Sequence, residues 1–441
     1  MGLGRRDVLK LSGLAAAGMA TNAFASGTKK DGVAASYAGF DAPLPKAKGK
    51  RVVVVGGGPS GLTIAKYIKK FHPAADVVLI EKNREFMSGF ISNLYITGLT
   101  DLEFITHSYT QAASKFGYSF LNATVYNVDK KNKVVYTNEG KVPYDILVLS
   151  TGIDYDYTPF CGNDLELAAR LKQEYPAAFI PGSETIQLKN KIQNFEGGTF
   201  IQTVPSGNYR CLPGPYERAC LLAWHIKKNK LKGKVVILDS NPDITIKKDG
   251  FQAAFKELYG DIIEYMPSSK IKKIDLAKKT VDTDLDSIKF EDASFYPGVR
   301  GAKILETIGV AKKGANPFEG NIDEKTYKVV GENDIYIAGD SRPMPFSKSG
   351  NTANTEGKIV ANMIAARLSG KNSSWESPQT ICYSLVNGDP MEGISVNAYY
   401  KFDDAHKTWG FDRVQLMEKR SPTAGTADKT WAQGIYRDLF G

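Results

Sequence analysis

Histidine is scarce in this chain, with four among 441 residues, at positions 72, 107, 225 and 406. Cysteine is as rare: Cys161, Cys211, Cys220 and Cys382. Neither type clusters at a metal-ligand spacing, so a dedicated metal site is not expected. No cysteine opens a C-x-x-C-H, so the chain carries no c-type haem of its own. Beyond the N-terminal segment no stretch reaches the roughly 18 uncharged apolar residues that a membrane helix needs. An RNA-binding signature and a basic helix interleaved with aromatics are both missing, which argues against nucleic acid. The net charge of +9 comes instead from lysine pairs in KYIKK, HIKKNK and SSKIKKIDLAKK, the pattern of solvated faces.

What is present begins with a targeting signal. Arg5 and Arg6 precede the weakly apolar LSGLAAAGMA and then Ala23-Phe24-Ala25. This reads as a twin-arginine signal peptide over residues 1–25 with an A-x-A cleavage site. It predicts export to the periplasm of a protein folded around its cofactor. Residues 26–50 read as a polar linker. The rest, 42% hydrophobic and 24% charged, is long enough for two or three domains with substantial cores.

The strongest motif starts at Arg51. Four valines make a buried strand, Gly56-x-Gly58-x-x-Gly61 turns into a helix with Ser60 inside the turn, and a second strand, VVLIE, ends on Glu81. Glycines in this register let backbone N–H groups approach a pyrophosphate at a helix N-terminus, and the terminal acid binds the adenosine ribose. Two later segments select FAD. One is YDILVLSTG, ending on Thr151-Gly152. The other is NDIYIAGDS, carrying Gly339-Asp340 ahead of the helix TANTEGKIVANMIAARLSG. That helix would aim its positive end at the flavin. The FAD-binding domain is therefore expected in two pieces, 51–157 and 297–370.

Between them, 158–296 reads as a second Rossmann-like domain. GTFIQT is its first strand, ERACLLAWHIKKNK its helix, and KVVILDS its second strand, ending at Asp239. The connecting loop, PSGNYRCLPGPY, holds Pro205, Pro213 and Pro215 where a dinucleotide fingerprint would hold glycines. Proline removes backbone donors and fixes φ, so NAD(P)H is not expected as the electron source. Cys211 then stands where a nicotinamide would approach flavin, with Arg210 beside it to favour thiolate.

These strings carry a resemblance. YRCLPGPYERA, GFISN (89–93), PMPFSKSGNTANTEGK (343–358) and TICYSLV (380–386) resemble, in this order, segments of the flavoprotein subunit of flavocytochrome c sulfide dehydrogenase; YRDLFG at the C-terminus fits as well. Sulfide:quinone oxidoreductases are more distant members of the same superfamily. The resemblance runs from about Arg51 to the end. It implies a small sulfur substrate, a redox role for Cys211, Lys348 near the flavin, and electrons leaving to a c-type cytochrome subunit. It also exposes two departures. The family's second redox cysteine, after the late Gly-Asp, is replaced by Arg342. Its covalent flavin cysteine is replaced by Gly89, so FAD is expected without a thioether.

The missing partner leaves three possibilities for Cys211. It pairs with Cys161, or with Cys220, nine positions on and deep in a helix, a difficult reach for bridged Cα atoms about 4.4–6.8 Å apart. Or it acts alone with Arg342 as electrostatic partner, the reading favoured here. Cys382 reads as structural. The expected fold is α/β, with two Rossmann-like, disulfide-reductase-like domains plus a C-terminal α+β interface domain over 371–441. The expected function is a periplasmic FAD-dependent oxidoreductase of the sulfide dehydrogenase type. Its alternatives are a quinone-reducing sulfide oxidoreductase and a flavin electron-transfer subunit whose sulfur chemistry has lapsed.

Overall fold

The computed structural model describes residues 39–312 and 316–441; the expected signal peptide lies outside them. The chain opens with β1 (Arg51–Val55), α1 (Pro59–Phe71) and β2 (Asp76–Glu81), followed by β3 (Ser119–Asn122) and β4 (Ile146–Leu149). The valines of β1 are all buried, as a strand covered on both faces by crossover helices requires. Residues 40–42, read as linker, lie instead along the strand that contains Lys141: Ala42 N donates to Lys141 O (3.0 Å) and Lys141 N to Phe40 O (3.1 Å). The free edge of that strand supplies the unpaired backbone groups that hold them.

A two-stranded connector, Ile153–Asp156 against Gly298–Gly301, marks where the chain leaves this domain and returns to it. Between those crossings come β5 (Gly197–Val204), α2 (Gly214–Lys228), β6 (Lys232–Asp239), β7 (Ile263–Met266) and β8 (Asp292–Ser294). They form a parallel sheet in the order β7-β6-β5-β8. After the return, β9 (Ile335–Ile337) adds to the edge of the first sheet, giving the parallel order β9-β4-β1-β2-β3. The long helix α3 (Gly350–Leu368) then packs across α1.

The remaining chain builds a three-stranded antiparallel sheet from β10 (Gln379–Gly388), β11 (Met391–Asp403) and β12 (Thr408–Ser421), closed by helix α4 (Pro422–Leu439). Asp438 near the end of α4 locks it onto the first domain. Tyr67 OH and Asn354 Nδ2 each donate to its carboxylate at 2.8 Å, and Lys358 Nζ lies 2.8 Å away. No helix among the described residues is long and apolar enough to cross a membrane.

Candidate FAD and sulfur site

A cleft of about 660 Å³ opens at the C-terminal ends of the first sheet, between the two nucleotide-type domains and the C-terminal sheet. Ligands bind at such strand ends in open α/β sheets. Gly56, Gly58, Glu81, Thr151, Gly152, Asp340, Lys348 and Cys211 all line it.

The glycine turn is built for close approach. A Cβ on Gly61 would lie 1.9 Å from the carbonyl oxygen of Gly56, so only glycine lets α1 start there. A Cβ on Gly58 would meet nothing within 4 Å, because it points into the cleft. Glu81 faces the same space, accepting from Gly57 N (2.7 Å) and from Asn83 N (2.9 Å). Ser60, Gly61 and Gly339 stand behind the wall: Ser60 Oγ lies 3.2 Å from Ser150 Oγ, and Gly339 N donates to Glu356 (2.7 Å).

FAD fits this site on the residues present. The open space at Gly58 suits a pyrophosphate, and Glu81 is placed for a ribose. Asp340 uses Oδ2 to accept from Arg210 Nε (2.7 Å), while its buried Oδ1 has no partner. An unpaired buried carboxylate oxygen on a cleft wall is where a flavin's ribityl hydroxyl would donate. Gly89 also lines the cleft, and a Cβ there would sit 2.9 Å from Pro181 Cγ. No sulfur stands there to form a thioether, so FAD is held non-covalently.

Cys211 sits at the head of the α2 loop in a left-handed conformation (φ 59°). Its N–H donates to Lys348 O (2.8 Å), and its carbonyl accepts from Gly214 N (2.8 Å). Side chains in this region are strained and persist where the surroundings hold them. Burial pushes the Cys211 thiol well above its ordinary range, and Cys382 and Glu217 push it further; Lys247 and Arg218 pull the other way. Arg210 does not serve as its cation. That guanidinium is turned to Asp340 and to the carbonyl of Phe179 (3.0 Å).

The structure corrects both companions expected for Cys211. Arg342 is fully buried outside the cleft, paired with Glu356 (2.7 Å) and donating to the carbonyls of Met344, Phe346 and Ser347. Four of its five N–H donors go to Glu356 and to the loop 343–347, and burial away from the cleft keeps it from a thiolate or an anion there. Cys161 ends a short helical turn, with Sγ donating to Tyr157 O (3.0 Å). It does not line the cleft, and Cys220 is buried inside α2. Cys382, read as structural, is the second cysteine of the cleft. Its string was visible in the sequence, but only the packing of β10 against α2 brings it to this wall.

Behind the two thiols lies a buried charged cluster. Glu217 accepts from Asn93 Nδ2 and Leu385 N, each at 2.8 Å. Burial raises the Glu217 carboxyl, and raises Asp428 further with Glu217 adding to the effect. Lys247 Nζ donates to Ser384 Oγ (2.7 Å) and lies 4.0 Å from Cys382 Sγ.

In the second domain the acid at the corresponding strand end is engaged within the protein. Asp239, at the ribose-binding end of β6, is fully buried and accepts from Tyr216 OH (2.6 Å), Tyr265 OH (3.0 Å) and Asn241 N (2.8 Å). Its oxygens are filled by the protein itself.

Paired nucleotide-type domains and this cleft define an FAD-dependent oxidoreductase of the disulfide-reductase architecture. Comparison with known proteins narrows the class. Residues 50–178 match the family model "Pyridine nucleotide-disulphide oxidoreductase", and residues 185–294 match the central part of "Sulfide dehydrogenase [flavocytochrome c] flavoprotein chain". The chain belongs to the sulfide dehydrogenase flavoprotein-like family. It is 25% identical to a sulfide-quinone reductase of Aquifex aeolicus over 285 residues, 61% of this chain and 62% of that protein. It is 32% identical to a type II NADH:quinone oxidoreductase of Staphylococcus haemolyticus, over 84% of this chain and 98% of the other. The solved sulfide:quinone oxidoreductase of Aquifex aeolicus superposes with a TM-score of 0.71 at 18% identity, covering 89% of this chain and 91% of that one.

Proposed function

We propose that this protein oxidises sulfide, or a closely related reduced sulfur compound, at Cys211 and passes the electrons to a c-type cytochrome. One observation carries the reading: the only thiol held in a left-handed turn among the described residues faces the FAD cleft. The step balances as Cys211–SH plus HS⁻ giving Cys211–S–SH, one proton and two electrons. FAD, when bound, supplies the two-electron acceptor. The chain's own contribution is positional. The Lys348 carbonyl fixes the Cys211 backbone, and the buried carboxyl of Glu217 acts on the charge of its thiol. The filled acid at Asp239 and the prolines of the α2 loop support a donor other than NAD(P)H. Arg5 and Arg6 support export by the twin-arginine route to the periplasm, where a cytochrome would meet the protein.

The test is an anaerobic titration of the FAD-loaded protein with sulfide, followed by flavin absorbance, beside Cys211→Ser. Stoichiometric bleaching in the wild type and none in the variant is the expected result. If dithionite bleaches both and sulfide neither, sulfide is not the donor.

A second reading sends the electrons to a quinone. It is favoured by Phe411, Val414, Leu416 and Met417, which all stand exposed on the edge strand β12. An apolar edge of this kind suits a lipid-borne acceptor. Reduction of a soluble quinone faster than of cytochrome c would select it.

A further inference from the structure

The described cysteines include one whose position the sulfur chemistry at Cys211 does not yet use. Cys382 lines the same cleft as Cys211. Three contacts fix the two relative to each other. The Cys211 backbone is bonded to Lys348, two residues before α3. Next to Cys382, Ile381 N donates to Asn351 Oδ1 in the first turn of α3 (2.7 Å). Glu217, early in the helix that Cys211 leads into, accepts from Leu385 N on the strand of Cys382. Each cysteine therefore hangs from the start of α3, and their two elements are pinned together a second time. Cys382 is also near enough for its charge to act on Cys211. Lys247 Nζ lies 4.0 Å from Cys382 Sγ; burial raises the Cys382 thiol, and Lys247 is the influence that most lowers it. An ammonium at that distance stabilises the thiolate form that attack requires.

Resting on the sulfur reading above, we propose that Cys382 is a sulfur-relay residue: its thiolate attacks the outer sulfur of a Cys211 persulfide and carries that atom away. The step is Cys211–S–SH plus Cys382–S⁻ giving Cys211–S⁻ plus Cys382–S–SH. One S–S bond breaks and one forms, with no net oxidation, so no further oxidant is needed. The transfer returns Cys211 for a second turnover. It gives the cleft a two-cysteine site in which the second member comes from the C-terminal sheet and not from the segment after Gly339-Asp340.

Inorganic tetrasulfide tests this without any electron transfer, since it hands a thiol one sulfur and leaves as trisulfide. The FAD-loaded protein is exposed briefly, alkylated, digested with trypsin and mapped by mass. Trypsin cuts after Arg210 and Arg218, so Cys211, Cys220 and Cys382 fall on separate peptides. The expected result is an extra sulfur on the Cys382 peptide. Cys211→Ser should remove it, and Cys382→Ser should leave it trapped on Cys211. Lys247→Met should likewise hold it on Cys211, with Lys247→Arg restoring the transfer. Labelling of Cys382 that is unchanged in Cys211→Ser overturns the relay, as does a wild type labelled on Cys211 alone. If Lys247→Met loses its flavin, the two cysteine variants decide. A working relay in a protein whose flavin ignores sulfide would sink the substrate reading and leave the relay standing.

Discussion

Gly58 separates what the fold needs from what the cofactor needs. Its backbone has an ordinary φ of −69°, and an added methyl would meet no protein atom. The cost of Gly58→Ala therefore falls on the occupied cleft, where the pyrophosphate would have to share the space. The expected outcome is a variant whose apo form melts within about 0.5 kcal/mol of wild type but which purifies with little flavin. An unchanged flavin-to-protein absorbance ratio would show that the pyrophosphate lies elsewhere. Gly61→Ala should instead fail to fold, because its methyl lands on a carbonyl.

At the scale of elements, the loop from 342 to 348 was the hardest part to read from sequence. The glycine turn, Glu81 and Gly339-Asp340 were legible because each needs a particular residue at a particular backbone position. Arg342 was not. An arginine after Gly-Asp reads equally as a substrate-binding cation or as a clasp, and only burial decides. Here Glu356, fourteen residues on, faces it from α3, so it ties the loop to the helix. Cys382 failed for a related reason. Nothing local in TICYSLV distinguishes a thiol packed in a core from one on a cleft wall, since that depends on how β10 meets α2. The clasp predicts that Arg342→Met costs about 3–5 kcal/mol, the usual effect of stranding one member of a buried ion pair. Denaturant unfolding of the apo protein measures it. A loss under about 1 kcal/mol would mean that the pair is not holding the loop.

For the whole molecule, one carboxylate, Asp438, ties α4 to both α1 and α3, beside the aromatic packing of Tyr436 and Phe440 on the first domain. Burial alone would raise Asp438, but Lys358, Asn354 and Tyr67 hold it below its ordinary value. A carboxyl lowered on folding contributes stability that is complete above its unfolded value near 3.9 and is lost as pH falls through the folded one. Wild type should therefore lose stability between about pH 5 and pH 3 more steeply than Asp438→Asn, whose own loss of about 1–3 kcal/mol is already present at pH 7. Parallel melting curves for the two proteins across that range would remove Asp438 from the account. The two-domain plan itself was readable from the spacing of strand and glycine motifs. The docking of α4 on α1 was not, because it rests on side chains more than 360 residues apart.

The split of the first domain has a consequence for how the protein is made. Its sheet is completed by β9, and its cleft by Asp340, Lys348 and the start of α3, all encoded after the entire second domain. A ribosome therefore delivers the pyrophosphate half of the flavin site early and the ribityl half late. Between those moments the nascent chain holds an unfinished parallel edge at β4, a surface that invites mispairing. Flavin loading must await the release of nearly the full chain, so a growth medium short of riboflavin should leave completed empty protein that still takes up flavin after synthesis has stopped.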